Sequence, residues 1–309
     1  MPCVGASQKN RFLSYGEQLC SRFVAFERIG SGGFGQIFRG QDSVNDRTVA
    51  IKVEDVFSEK STHDPRRLLV ERKVLVELRG KRHFPVIYAT GKSERGCPFI
   101  VLELLGENLA TLKKTVPNER FSNLTLFRIA QQVIIALETL HKLDYIHRDI
   151  KPANCCIGRE GEHRKTIYLI DFGMCRKMVN HKGEWRTPRL DAGFRGTIRY
   201  ASARAIRRRE CGAADDLIGW MYSLIEMGTG ELPWRREDDM ATVLKMKREI
   251  KTADLCRKLP GPMGDCLDYL RNLNYDDLVN YGKIQEQMRS CLPIGFSYDD
   301  PYDWEPQGA

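Results

Sequence analysis

Near residue 105 the hydrophobic pattern of this 309-residue chain changes period, and that change restricts its fold more than any single motif does. Upstream, apolar residues come in short runs broken by glycine turns; Val49-Ala50-Ile51-Lys52-Val53-Glu54 and Phe99-Ile100-Val101-Leu102 read as strands. Within that part Pro65 to Leu78 has a helical pattern, with Leu68, Leu69, Val74 and Leu75 gathering on one side. Downstream, helical spacing takes over. Ser122 is placed to cap a long helix ending near His141, whose apolar positions include Leu126, Ile129, Val133 and Leu137. A strand pair follows, with its turn at Gly158 to Arg164 and Tyr168-Leu169-Ile170 in its second strand. Ala214 to Gly228 is apolar on most faces and reads as a buried helix, and two or three more helices are expected between Met240 and Leu292. The class is therefore α+β with two lobes. A β-rich N-lobe with one main helix occupies 23–103, a hinge 103–106, and a mainly helical C-lobe 107–304. Residues 1–22 read as a polar leader and 305–309 as a short tail.

A hydrophobic fraction of 42% is enough for a sizeable core, yet apolar runs stay as short as Val133-Ile134-Ile135-Ala136-Leu137, too short to span a bilayer. The N-terminus lacks the charged and apolar regions of a secretory signal. Ten cysteines without metal-type spacing point to reduced thiols inside the cell, in cytoplasm or nucleus. The net charge of +8 favours anionic partners. Arg176, Lys177, Lys182, Arg186, Arg189, Arg195 and Arg199 crowd one segment, and Arg204 with Arg207-Arg208-Arg209 extends it. No base-reading motif accompanies that charge, so a specific nucleic-acid partner is not expected.

The chemistry is concentrated in His147-Arg148-Asp149-Ile150-Lys151-Pro152-Ala153-Asn154 and Asp171-Phe172-Gly173. Asp149 can accept a hydrogen bond from a substrate hydroxyl, and Lys151 can offset charge on a phosphoryl group. Asn154 and Asp171 supply the oxygen ligands that Mg²⁺ takes. Together they form a set for moving the γ-phosphoryl of ATP onto a hydroxyl. Ile29-Gly30-Ser31-Gly32-Gly33-Phe34-Gly35-Gln36-Ile37 is a glycine-rich turn whose backbone can approach phosphates closely. A dinucleotide-binding turn shares these letters but leads straight into a helix, whereas here the chain runs on to the strand of Lys52. Lys52 can reach the α- and β-phosphates and needs an anionic partner if buried. Glu71 is the first candidate and Glu77 the second. Thr197 is placed to bond Asp149 and Lys151. Asp216 is expected to hold the backbone of the 147–154 loop, to cap its own helix, or both.

These residues resemble a protein kinase of the casein kinase 1 family, closest to its tau-tubulin kinase branch, over about residues 23 to 304. Lys151, two residues after Asp149, follows the Ser/Thr-kinase pattern. Leu104-Leu105-Gly106, Arg195-Gly196-Thr197-Ile198-Arg199-Tyr200-Ala201-Ser202 and Glu231-Leu232-Pro233-Trp234 carry the family resemblance. Ala192-Gly193-Phe194 and Asp300-Pro301-Tyr302-Asp303-Trp304-Glu305 carry that to the branch. The resemblance implies a two-lobed kinase fold, Mg²⁺ and ATP as cofactors, and a monomer acting on protein Ser or Thr. It implies an adenine pocket walled by Ile37, Ala50 and Cys156, with Leu102 as gatekeeper and Glu103 and Leu105 as hinge positions. It also implies acidic or already phosphorylated substrates, met by Arg199 with Lys245 or Lys247, and activity without a phosphorylation switch at Thr187 or Ser202.

Three positions depart from the pattern. Ser202-Ala203-Arg204 stands where most kinases have Ala-Pro-Glu, and the resemblance gives no account of the arginine. Met221 replaces a small residue of the buried helix, and Cys156 replaces a larger apolar residue beneath the adenine. No phosphate, metal or base position is missing. An alternative reading, a catalytically idle kinase fold that binds phosphopeptides, draws on the basic segment and Arg204. A nucleic-acid reading has little beyond net charge.

Overall fold

The structure, a computed structural model, describes residues 12–32, 35–54 and 67–306. The chain divides into two compact units, Met1–Gly80 with Phe84–Leu105, and Lys81–His83 with Gly106–Ala309.

Among the described residues, unit 1 is a six-stranded antiparallel sheet with one helix. Its strands are β1 (Gln18–Leu19), β2 (Phe23–Gly32), β3 (Gly35–Asp42), β4 (Arg47–Val53), β5 (Ile87–Lys92) and β6 (Pro98–Glu103), in the order β1-β2-β3-β4-β6-β5. Helix α1 is Arg67–Glu77. Strand alternation sends Phe38, Val49, Ile51, Val53, Phe99 and Val101 into one core. Leu13 and Leu19 join it, so part of the stretch read as a polar leader is built into the sheet, with Leu19 paired to Phe23. Two apolar letters ten and four residues before β2 are too sparse to register as a period. The opposite sheet face follows from register. Ile37 pairs with Lys52 and Ala50 with Leu102, and paired residues share a face. Ile37, Ala50, Lys52 and Leu102 therefore line one partly open surface. On α1, Leu68, Glu71, Val74 and Leu75 are buried, whereas Leu69, expected beside them, is 55% exposed. Leu69 lies one position, about a quarter-turn, beyond Leu68.

Unit 2 is mainly helical. Its elements are α2 (Leu109–Thr115), α3 (Asn123–His141), β7 (Tyr145–Ile146), β8 (Cys155–Ile157), β9 (Ile167–Leu169), β10 (Arg176–Lys177), α4 (Ala203–Ile206) and α5 (Ala213–Thr229). Then come α6 (Met240–Glu249), α7 (Thr252–Cys256), α8 (Gly261–Arg271) and α9 (Tyr281–Ser290). Four helices thus follow residue 240 where two or three were expected; the five-residue α7 is too short to show a period. Ser122 caps α3 by accepting from Thr125 N. Strand β8 pairs with β9, and β7 with β10, both antiparallel. Nearly every residue of α5 is buried, which makes it the axis of this unit. His83 belongs here too: its Nδ1 lies 2.8 Å from Ile167 O, and its carbonyl accepts from Leu169 N at 2.9 Å. No helix among the described residues is long and apolar enough to cross a membrane.

Candidate active site

The 147–154 loop hangs from the first turn of α5. Buried Asp216 accepts His147 N at 2.6 Å on Oδ2 and Arg148 N at 2.8 Å on Oδ1, and Oδ2 also lies 2.9 Å from His141 Nε2. Burial acts to raise the Asp216 pKa, but the hydrogen bond from His141, the nearby imidazoles and the loop N–H outweigh it, holding the carboxyl below its usual range. The helix-capping role falls instead to Asp215, which accepts from Gly212 N at 2.9 Å. Two N–H bonds to Asp216 hold Arg148 at φ +72°, a left-handed conformation that costs roughly 1–2 kcal/mol outside glycine. Arg148 Nε donates to Met174 O at 2.6 Å. His147 Nε2 donates to Ile170 O at 3.0 Å, and its Nδ1 accepts from Asp149 N at 3.3 Å.

On this frame Asp149 forms a closed triangle. Lys151 Nζ donates to Oδ2 at 2.6 Å, Thr197 Oγ1 donates to Oδ1 at 2.8 Å, and Lys151 Nζ donates to Thr197 Oγ1 at 3.0 Å. Asn154 Nδ2 donates to Asp149 O at 2.8 Å, and Ile170 N donates to Asn154 O at 3.0 Å. Asp171 follows Ile170 at φ +68° and leads into a 3-10 turn, Phe172–Met174, whose buried Phe172 meets the His147 ring edge-on at 5.3 Å. A carboxylate, an ammonium, an amide and a second carboxylate thus sit on two segments joined by a backbone hydrogen bond. Gly196 permits the approach: its φ is +105°, and a Cβ there would lie 2.5 Å from Arg148 O.

Unit 1 carries the second cluster. Lys52 Nζ lies 2.6 Å from Glu71 Oε2, and the Glu71 side chain is only 3% exposed. Glu71 occupies the buried stripe of α1, whereas Glu77 is exposed. Gly30, Ser31 and Gly32 close β2 and Gly35 opens β3, with Gly32 paired to Gly35. Gly35 has φ +146°, and a Cβ there would lie 2.1 Å from Val53 O, so the strand can pass β4 only as glycine. Gly33 and Phe34 lie outside the described residues. Ile29, on β2, is 47% exposed. Glu103 N donates to Val86 O at 2.8 Å, and Leu105, two residues on, is half-buried. In unit 2, burial pushes the Cys156 thiol on β8 up to about 12.

Comparison with known proteins matches residues 23–274 to the protein kinase domain. The chain belongs to the protein kinase family. It is 37% identical over 97% of its length to a probable serine/threonine-protein kinase of Dictyostelium discoideum, of which it spans 59%. It is 32% identical over 90% of its length to a probable casein kinase I homolog of Encephalitozoon cuniculi, spanning 91% of that relative. Within the family it stands with the Ser/Thr kinases and is casein kinase I-like.

The kinase departs from sequence expectation most at its basic residues. Lys247, offered for a substrate-phosphate pocket, is 2% exposed and donates to Ile198 O, Arg199 O and Ala201 O at 2.7, 3.0 and 2.6 Å. It is a backbone clamp and cannot meet a substrate. Lys245 is exposed on α6. The Arg199 side chain is 39% exposed, 3.5 Å from Glu226 Oε1 and 3.2 Å from Arg235 O. Arg204 lies 3.2 Å from Asp215 Oδ2 and donates to Leu273 O at 2.5 Å, so it ties α4 to α5 and to the residues that follow α8. Buried Ser202 caps α4 and donates to Asp215 Oδ1 at 2.6 Å. Sequence reasoning missed Glu210, whose carboxylate takes Arg176 Nε at 3.1 Å and Arg189 Nε at 2.7 Å. Its one visible signal was an acidic residue directly after three arginines.

Proposed function

We propose that this kinase transfers the γ-phosphoryl of Mg-bound ATP to Ser or Thr hydroxyls of proteins, with Asp149 as the catalytic carboxylate. The observation that carries this is the Asp149–Lys151–Thr197 triangle: one carboxylate held from two sides by an ammonium and a hydroxyl of the following segment. Asp149 would take the hydrogen bond of the incoming hydroxyl and orient it, while Lys151 offsets charge on the transferred group. Thr197 fixes the carboxylate's rotamer. Asn154 commits its Nδ2 to Asp149 O, which leaves its amide oxygen, with the Asp171 carboxylate, as the hard oxygen donors Mg²⁺ takes. These residues fit the metal. When bound, Mg-ATP supplies the phosphoryl group and the neutralisation of its charge. Lys52, paired with Glu71, is assigned to the α- and β-phosphates, and the glycine-rich turn from Ile29 to Gly35 to the triphosphate backbone. Ile37, Ala50, Leu102, Glu103, Leu105 and Cys156 are assigned to the adenine.

The finer reading is a monomer of the tau-tubulin branch, working in cytoplasm or nucleus on acidic or already phosphorylated proteins. Its support is Arg199, two residues from Thr197 and partly exposed, with Lys245 on the neighbouring helix. The idle-scaffold alternative loses its main motive, because Arg204 is an internal tie. In the Asp149→Asn variant the phosphorylation rate of casein should fall by roughly 100-fold or more at unchanged melting temperature, because the amide cannot serve as the base. Equal activity of the two proteins would remove Asp149 from this role.

A further inference from the structure

Two adjoining cavities, of about 380 and 250 Å³, open on unit 2 where α4 meets the residues that follow α8. Arg204 and Arg207 line both; Arg209 lines the first and Arg248 the second. Their combined size suits a short peptide better than a single ion.

What sets this groove apart is how the surrounding charges are already used. Glu210 is taken by Arg176 and Arg189, Asp215 by Arg204 and Ser202, and Asp191 by Arg208. Arg207, Arg209 and Arg248 are exposed and have no ion pair among the described residues. Exposed Asp276 on the rim of the first cavity is the remaining carboxylate of the walls and leaves the balance cationic. Arg204, a wall of both cavities, is held in place by Asp215 and Leu273.

The three unpaired arginines are divided between the two cavities and not gathered in one: Arg207 lines both, Arg209 the first and Arg248 the second. A single phosphate calls for convergent donors, while a run of carboxylates can meet forked guanidiniums one after another. The aromatic residues of the walls offer no stacking platform for nucleic-acid bases: Tyr222 is buried, and half-buried Tyr275 is met edge-on by Trp185 at 6.1 Å. We propose that this groove docks an acidic, Asp- and Glu-rich segment of a partner protein, bridged by Arg207, Arg209 and Arg248. The proposal is independent of the assignment of Asp149, since it concerns binding alone.

The test is fluorescence anisotropy of a labelled Glu/Asp-rich peptide titrated with the full chain, without nucleotide. Arg207→Glu with Arg248→Glu should weaken binding about tenfold or more, and the milder R207A/R248A pair by an intermediate factor. Lys114→Glu with Lys258→Glu makes the same change in net charge at exposed sites elsewhere and should leave affinity within about twofold. Equal loss in this control, or unchanged binding in R207A/R248A, overturns the proposal. So does single-stranded RNA of matched charge competing as well as the peptide, because the groove would then answer to charge alone. Turnover of a short non-acidic Ser peptide should be preserved in R207A/R248A; parallel loss of that turnover would make the arginines structural and also overturn it.

Discussion

Lys247 is a buried ammonium whose hydrogen bonds all go to neutral groups. Three carbonyls accept from it, the Trp234 and Tyr222 rings lie 4.9 and 5.0 Å away, and no carboxylate pairs with it among the described residues. Desolvation, helped by nearby Arg271, pulls its pKa down to about 7 from 10.5. Between those two values the folded chain binds fewer protons than the unfolded chain, so stability rises with pH; below about 7 both forms are protonated and the cost is felt in full. The Lys247→Met variant lacks this term. Its melting temperature should fall further behind wild type at pH 9 than at pH 6, as read by thermal melts in matched buffers. A gap that does not change with pH would mean the carbonyls compensate for burial. The case also marks what a sequence conveys at this scale. Asp149, Lys151, Asn154 and Thr197 could be singled out because phosphoryl transfer restricts residue type and spacing, and the fold brings them within hydrogen-bond reach. Lys247 could not, because the letter gives charge and not depth. Its only signal was position, four residues after buried Val243 on the same face of α6.

Helices α3 and α5 were legible as elements, since caps and apolar spacing are local properties. Ties between elements were not: Arg204 meets a carboxylate eleven residues on and a carbonyl 69 residues on, and no local pattern encodes that. The segment carrying Thr197 is another such tie, and Gly196 is its hinge. Alanine at 196 would strain a φ of +105° and drive a Cβ to 2.5 Å from Arg148 O, backbone against backbone. The segment must then move away from the loop and take Thr197 off Asp149. We expect Gly196→Ala to lower kcat on the order of 100-fold, the usual effect of an ångström of misplacement. Gly193→Ala is the control: φ is +69°, but nothing lies within 4 Å of its Cβ, so it should cost stability of about 1 kcal/mol and little rate. Similar kcat values for the two variants would detach the tight approach at Gly196 from catalysis.

At the scale of the molecule, the change of hydrophobic period near residue 105 is expressed as a sheet-based unit and a helical unit, each with its own core. The last stretch of the described chain, which the sequence offered only as a branch marker, is part of the second core. Tyr302 is 1% exposed, its ring stacks on Trp304 at 4.5 Å, and Trp304 meets Phe121 edge-on at 5.4 Å. Arg128 of α3 donates to Asp300 O and Tyr298 O at 2.7 and 2.5 Å and lies 4.2 Å over the Tyr302 ring. Asp303 takes both Ser122 N and Ser122 Oγ, at 2.6 and 2.7 Å, at the start of that helix. The segment therefore locks α3, the helix that also supplies His141 to Asp216. Replacing a buried aromatic by alanine costs about 3–5 kcal/mol. For a unit of this size that lowers the melting temperature on the order of 10 °C. Hydrogen exchange gives the sharper reading of Tyr302→Ala. Amides of α3 should lose protection while those of β3 and β4, in a different core, keep theirs, because opening energies differ between cooperative units. Equal loss in both places would mean that the two units open as one and that the lock stabilises the whole chain.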